Sequence, residues 1–167
     1  MQPKRETMTY IKTLLFLLIV PGSVVFLVPY QIVRRSSRRW KLDLGLLRHA
    51  AWPCWAGGAA LLLWSFWNFA SRGRGTPHPA DPPKELVAEG PYRLTRNPQY
   101  TGVMLIMLGH FLWSGVLALL AYGSLIFTLF NIFVQYYEEP NLGKRFGESY
   151  RRYRERVPRW LSLASLG

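Results

Sequence analysis

The sequence predicts an all-α, polytopic membrane protein with about four transmembrane helices and a C-terminal amphipathic helix at the membrane surface. Three observations carry that expectation. Half of the 167 residues are hydrophobic and seven are Trp, a composition too apolar for an ordinary soluble domain. The apolar residues gather in runs of spanning length. The net charge is nonetheless +12, which fits if the runs lie in lipid while basic stretches face a bilayer with anionic headgroups. A nucleic-acid binder can share the charge but rarely carries such runs, so no nucleic-acid partner is expected. The length suits a single membrane domain, residues 1–167. Cys54, the single cysteine, lies inside an apolar run; an intrachain disulfide and a cysteine-based zinc site are both excluded, and no metal is expected.

The first span is expected over about residues 11–33, "IKTLLFLLIVPGSVVFLVPYQIV". It is long for a signal peptide and runs straight into "RRSSRR" without a small-residue cleavage pattern. Pro21 and Gly22 should kink it, which membrane helices tolerate when neighbours satisfy the freed backbone groups. The second span is expected over about 46–70, with Trp52 and Trp55 near one end and Trp64 and Trp67 near the other, as an interfacial aromatic belt. Gly57, Gly58, Ala59 and Ala60 suit close approach of another helix. The region 100–137 is too long for one crossing and right for two, 100–117 and 118–137. Trp113, Ser114 and Gly115 mark the turn of this hairpin.

Lys and Arg prefer cytoplasmic loops. The loop 71–99 and the tail 144–159 carry most of them, and the hairpin puts both on one side. The C-terminus is therefore expected in the cytoplasm. "RRSSRRWK", Arg34 to Lys41, then falls on the opposite side, against the trend. In the tail, Leu142, Phe146, Tyr150, Tyr153 and Val157 recur at helical spacing among basic residues. That is a basic amphipathic helix for the headgroup plane, and composition alone makes it an anchor rather than a lid. Just before it, Glu138 and Glu139 are expected at the end of the last span, where a helix terminus disfavours acids.

The order of blocks carries a resemblance. "GPYRLTRNPQYTG" (90–102) is followed by a membrane hairpin and then by "EEPNLGKRFGESYRRYRERVPRW" (138–160). The C-terminal half resembles the integral-membrane methyltransferases that include isoprenylcysteine carboxyl methyltransferase and the phospholipid N-methyltransferases. The matching positions are Gly90, Tyr92, Arg96 to Tyr100, Gly102, Glu138, Glu139, Leu142, Phe146, Gly147, Tyr150, Val157 and Pro158. The resemblance implies S-adenosylmethionine as methyl donor, bound near the membrane surface by segments 84–102 and 138–158. No glycine-rich dinucleotide fingerprint is present. The cofactor residues it implies are Lys84, Glu85, Leu86, Val87, Tyr92, Arg96, Asn97, Pro98, Gln99, Tyr100 and Glu138. A carboxylate can pair a cationic group or accept ribose hydroxyl protons, and tyrosine faces suit a sulfonium. Arg96 has two readings, a partner for the cofactor carboxylate or a side chain snorkelling to lipid phosphates.

Two departures from the family pattern narrow the chemistry. Asn97 replaces the usual histidine, so no histidine base acts there. Val134 stands where the isoprenylcysteine enzymes carry an arginine for their substrate, which points away from a prenylated protein and towards a lipidic or small amphiphilic acceptor. Direct in-line methyl transfer is expected, dominated by orientation and water exclusion. An amine acceptor needs a proton removed, and Glu139 and Tyr100 are the candidate catalytic groups. His110 lies within the third span and reads first as a packing residue; His49 and His78 show no partner. Two other classes remain open: an NADPH-dependent membrane reductase of related architecture, and a non-catalytic lipid-binding protein.

Overall fold

The computed structural model describes residues 22–72 and 86–161. The N-terminal part of the first expected span, with Pro21, and the positions Arg74, His78, Lys84 and Glu85 lie outside the described residues. Five α-helices are described: α1 (Val28–Arg35), α2 (Ala51–Arg72), α3 (Pro98–Ser114), α4 (Leu117–Phe133) and α5 (Glu139–Arg156). The described residues contain no strand, only an isolated bridge between Lys41 and Val116. The all-helical expectation therefore holds. Among the described residues, one helix is long and apolar enough to cross a membrane; it runs from Leu117 to Arg156.

α2 and α3 form the most intimate pair. Their closest point is a reciprocal glycine contact. A Cβ on Gly58 would lie 2.6 Å from the Gly102 carbonyl oxygen, and one on Gly102 would lie 2.8 Å from that of Gly58. Only glycine lets the two backbones approach so far. Gly57 faces open space, so one residue of the expected small-residue patch makes the contact and its neighbour does not. Towards the hairpin, Gly109 leaves room for the Trp55 ring. α3 ends where expected: Gly115, at φ 67°, donates to the Phe111 carbonyl at 2.7 Å and turns the chain into α4.

Two wide π turns interrupt the helical course, Ser23–Leu27 and Val134–Glu138. Each precedes a proline, Pro29 or Pro140. A proline ring has no N–H and crowds the carbonyl four residues back; widening the preceding turn relieves that clash. Near Pro29 the freed carbonyls find side chains. His110 Nε2 lies 2.9 Å from the Val25 oxygen, and the Tyr122 hydroxyl donates to the Val24 oxygen at 3.1 Å. Trp55 Nε1–H donates to His110 Nδ1 at 3.2 Å, so Nδ1 accepts and the proton sits on Nε2. His110 is thus a neutral packing residue with both nitrogens used.

The second π turn corrects one expectation. Glu138 and Glu139 do not end a helix. The chain passes from α4 through the π turn into α5 without a break, so both acids lie inside one helical course from Leu117 to Arg156. α5 itself breaks at Gly147 (φ 51°, ψ −123°), which redirects its second half onto the loop before α3.

The glycine contact gives a direct test. Gly58→Val forces the α2 and α3 backbones apart and should destabilise the solubilised protein by about 1–3 kcal/mol, the usual cost of overpacking. Gly57→Val should leave the melting temperature unchanged. Equal effects of the two substitutions in a thermal melt would contradict the packing described.

Candidate active site

The polar motif folds as a short 3₁₀ turn, Gly90–Arg93, followed by an extended approach to α3. Pro91 and Pro98 are fully buried and stiffen it. The far end of α5 closes over this segment. Val87, Tyr92, Tyr150, Tyr153 and Val157 form one buried cluster, with Leu86 packed against it. The Tyr153 hydroxyl donates to the Tyr92 carbonyl at 2.8 Å. The Arg96 backbone N–H donates to the Pro158 carbonyl at 2.9 Å. Two side chains reach the Arg159 carbonyl: the Thr95 hydroxyl at 2.8 Å and the Asn97 amide at 3.0 Å. The tail expected from composition to be an anchor is in fact stitched to the motif loop.

Asn97 therefore has a structural task. It precedes the first turn of α3 and donates from its amide to the tail. The Thr95 hydroxyl in turn accepts from the Asn97 N–H at 3.2 Å.

The two acids face different partners. Glu138 accepts a hydrogen bond from the Tyr100 hydroxyl at 2.8 Å, which joins the two halves of the motif across the hairpin. The Tyr100 ring packs on Phe130 of α4, with centroids 4.5 Å apart. Burial raises the Glu138 pKa above the usual carboxylate value; the Tyr100 bond lowers it and the neighbouring Glu139 raises it again. Burial likewise raises the Tyr92 phenol, with Tyr153 and Glu138 adding to the shift, so Tyr92 stays neutral. Glu138, Tyr100 and Tyr92 make up an acceptor and two phenols at one end of the hairpin.

Glu139 is 8% exposed and sits between two arginines. Arg96 Nη1 lies 2.8 Å from Oε1. Arg159 binds both oxygens, Nε to Oε1 and Nη2 to Oε2, each at 2.8 Å. Arg159 Nη1 also donates to Gln135 at 3.3 Å. Neither reading of Arg96 from the sequence anticipated this partner. Glu139, rather than Glu138, lines a surface groove of about 400 Å³ shared with Gln135, Gly143, Gly147 and Tyr150.

Among the described residues, two buried side-chain donors have no protein partner: Arg96 Nε and Gln99 Nε2. Both belong to the motif. An unsatisfied buried donor costs about 1–3 kcal/mol, so these two atoms are the polar groups of the motif that the protein itself leaves unmatched among the described residues. Of the residues expected from the sequence, Leu86, Val87, Tyr92, Arg96, Asn97, Pro98, Gln99, Tyr100 and Glu138 fall in this region. Sequence reasoning missed Arg159, whose one signal was its place directly after Val157-Pro158.

The fold defines a membrane-associated helical protein whose polar motif is gathered at one end. A family model described as phospholipid methyltransferase matches residues 47–149, more than half of the chain, and the chain belongs to that family. It is a membrane methyltransferase, and the family implies S-adenosylmethionine as methyl donor. The match covers α2 to the first part of α5 and stops short of Tyr153 and Arg159. An uncharacterised protein of Haemophilus influenzae is 43% identical over 63 residues, covering 37% of this chain and 98% of the relative. No solved structure matches.

Removing the Glu139 carboxylate leaves Arg96 and Arg159 facing each other without a counter-charge. Glu139→Ala should cost about 3–5 kcal/mol, the range for breaking a buried pair from one side. Tyr153→Phe should cost about 1 kcal/mol, the worth of one hydrogen bond. Thermal melts of both variants in one detergent check the order; a milder effect of Glu139→Ala than of Tyr153→Phe would contradict it.

Proposed function

We propose that the protein transfers the methyl group of S-adenosylmethionine to a lipidic or small amphiphilic acceptor at the membrane surface, by direct in-line displacement. The observation that supports this most is the Tyr100–Glu138 hydrogen bond of 2.8 Å. It links the two blocks of the family pattern, and the first block also carries the buried Gln99 Nε2 and Arg96 Nε donors, which lack a partner among the described residues. The donor set fits the cofactor. Glu138 offers a carboxylate to an ammonium or to ribose hydroxyls. Tyr92 and Tyr100 offer phenol rings to a sulfonium or an adenine. Gln99 Nε2 and Arg96 Nε offer hydrogens to a carboxylate or to ring nitrogens. Leu86 and Val87 add the apolar wall, and Lys84 and Glu85 complete the segment in this reading.

When bound, the cofactor supplies an electrophilic sulfonium methyl and leaves as a neutral thioether. The chain's own work is to orient and to exclude water. The buried Tyr92–Tyr150–Tyr153 cluster packs the tail against the motif loop, which suits the exclusion of water in this reading. Tyr100, held by its hydrogen bond to Glu138 and packed on Phe130, is placed to pass a proton from an amine acceptor to the Glu138 carboxylate. Glu139 has both oxygens engaged by arginines, and we assign it a positioning role instead of the base role its sequence position suggested. Asn97 donates to the tail and takes no part in proton transfer.

The same reading gives the topology. Four crossings, over about 11–33, 46–70, 100–117 and 118–137, put the motif loop and tail together on the cytoplasmic side. The Val134 substitution favours a lipid amine or other amphiphile over a prenylcysteine carboxylate.

Binding is tested by titrating the purified full chain with S-adenosylmethionine and with NADPH. Saturable binding of the first and none of the second is expected; saturable binding of NADPH alone would overturn the proposal. Glu138→Ala should abolish S-adenosylmethionine binding while expression persists. Mass spectrometry of lipids and small thiols after incubation with methyl-labelled cofactor then reads the acceptor atom.

The raised Glu138 pKa gives a pH signature. The ionised carboxylate is the binding form, so affinity is complete at high pH. It falls as pH drops through a value above the ordinary carboxylate range. Glu138→Gln should bind weakly and without that dependence. A wild-type affinity that is flat with pH would remove Glu138 from the site.

A further inference from the structure

The hairpin end of the molecule, opposite the motif, carries a second charged surface. α1 ends in Arg34 and Arg35, and the linker to α2 holds Arg38, Arg39, Lys41 and Arg48. All six are exposed. Asp43 is the only acid from residue 22 to residue 72, and one of its oxygens already accepts the Gly45 N–H at 3.0 Å. No ion pair engages the six cations among the described residues.

This linker is held rather than free. The Leu42 N–H donates to the Gly115 carbonyl at 2.8 Å, and Lys41 bridges Val116, so the segment is pinned against the α3–α4 turn. The Arg48 guanidinium lies over the Trp113 ring, 4.8 Å from its centroid. A stacked guanidinium keeps its N–H edge free in a fixed plane, which suits the oxygens of a phosphate. Trp52 packs edge-on to both Trp55 and Trp113, and Trp40, Leu46 and Leu47 are exposed between the arginines. Apolar and aromatic side chains alternating with arginines beside a membrane hairpin make a surface that meets acyl chains and headgroups together.

We propose that this collar binds anionic phospholipid headgroups of the leaflet at the hairpin end, with Arg38, Arg39 and Arg48 as phosphate partners. The occupant is a bilayer lipid and not the methyl acceptor, because the collar and the Tyr100–Glu138 pair lie at opposite ends of α3. The collar explains why "RRSSRRWK" violates the charge bias expected of its side. In this proposal these cations are matched by lipid phosphates. The proposal stands independently of the cofactor reading.

Native mass spectrometry of the full chain from mixed micelles of phosphatidylglycerol and phosphatidylcholine tests it. The wild type should retain phosphatidylglycerol in preference to phosphatidylcholine. Arg38→Gln/Arg39→Gln/Arg48→Gln should lower that preference by at least about tenfold, as expected for three surface cations. The charge-matched control Lys144→Gln/Arg152→Gln/Arg156→Gln, at the other end, should lower it much less. Because Arg48 also packs on Trp113, Arg38→Gln/Arg39→Gln serves if the triple variant fails to fold, with a smaller but measurable loss. An unchanged preference in the collar variants, or an equal loss in the control, overturns the proposal.

Discussion

The arrangement of the motif end depends on one buried carboxylate. Glu139 holds Arg96 of the loop and Arg159 of the tail at the same time, each at 2.8 Å. Taking these charges out of water costs several kcal/mol per ion, so the triad contributes little net stability. Its consequence is positional. Three segments far apart in sequence, the loop before α3, the start of α5 and the chain after α5, meet at one point. The backbone and side-chain bonds from Thr95, Arg96 and Asn97 to Pro158 and Arg159 then follow from that register.

The π turn before Pro140 sets which acid goes where. An i→i+5 turn rotates every following residue relative to a regular helix. Glu138, the last residue of the wide turn, meets Tyr100; Glu139, the first after it, meets the arginines. The adjacent acids thereby divide two tasks, one paired with a hydroxyl, the other consumed in holding the tail. The triad also leaves an excess positive charge next to the site, two arginines to one carboxylate. That excess favours an anionic group on the ligand side, where Arg96 Nε still lacks an acceptor.

Much of this was legible in the sequence. Helix class, the Gly115 turn and the close contact at Gly58 and Gly102 follow from apolar run length and from glycine's lack of a Cβ. The grouping of Tyr92, Gln99, Tyr100 and Glu138 at one end followed from the ordered blocks. What the sequence hid depends on tertiary partners. By hydropathy "YYEEP" reads as a helix end, since polarity begins there; the helix continues because the wide Val134–Glu138 turn accommodates the Pro140 ring. The tail's role was hidden for another reason. Tyr150 and Tyr153 look the same in an interfacial anchor as in a cover, and only the Tyr92 carbonyl and the Val87 side chain they meet distinguish the two.

Asn97 brings these threads together. At this position a histidine could also donate from one ring nitrogen to the Arg159 carbonyl, but it would bring a titrating charge next to Arg96 and Arg159, where positive charge is already in excess. Asparagine donates the same hydrogen bond and stays neutral at every pH. The substitution thus trades proton chemistry for a latch whose strength does not vary with acidity. Asn97 carries no charge at any pH and burial holds Tyr92 protonated, while burial raises the Glu138 carboxyl above its ordinary value. The pH response proposed for ligand binding therefore rests on the carboxylate that is hydrogen-bonded to Tyr100.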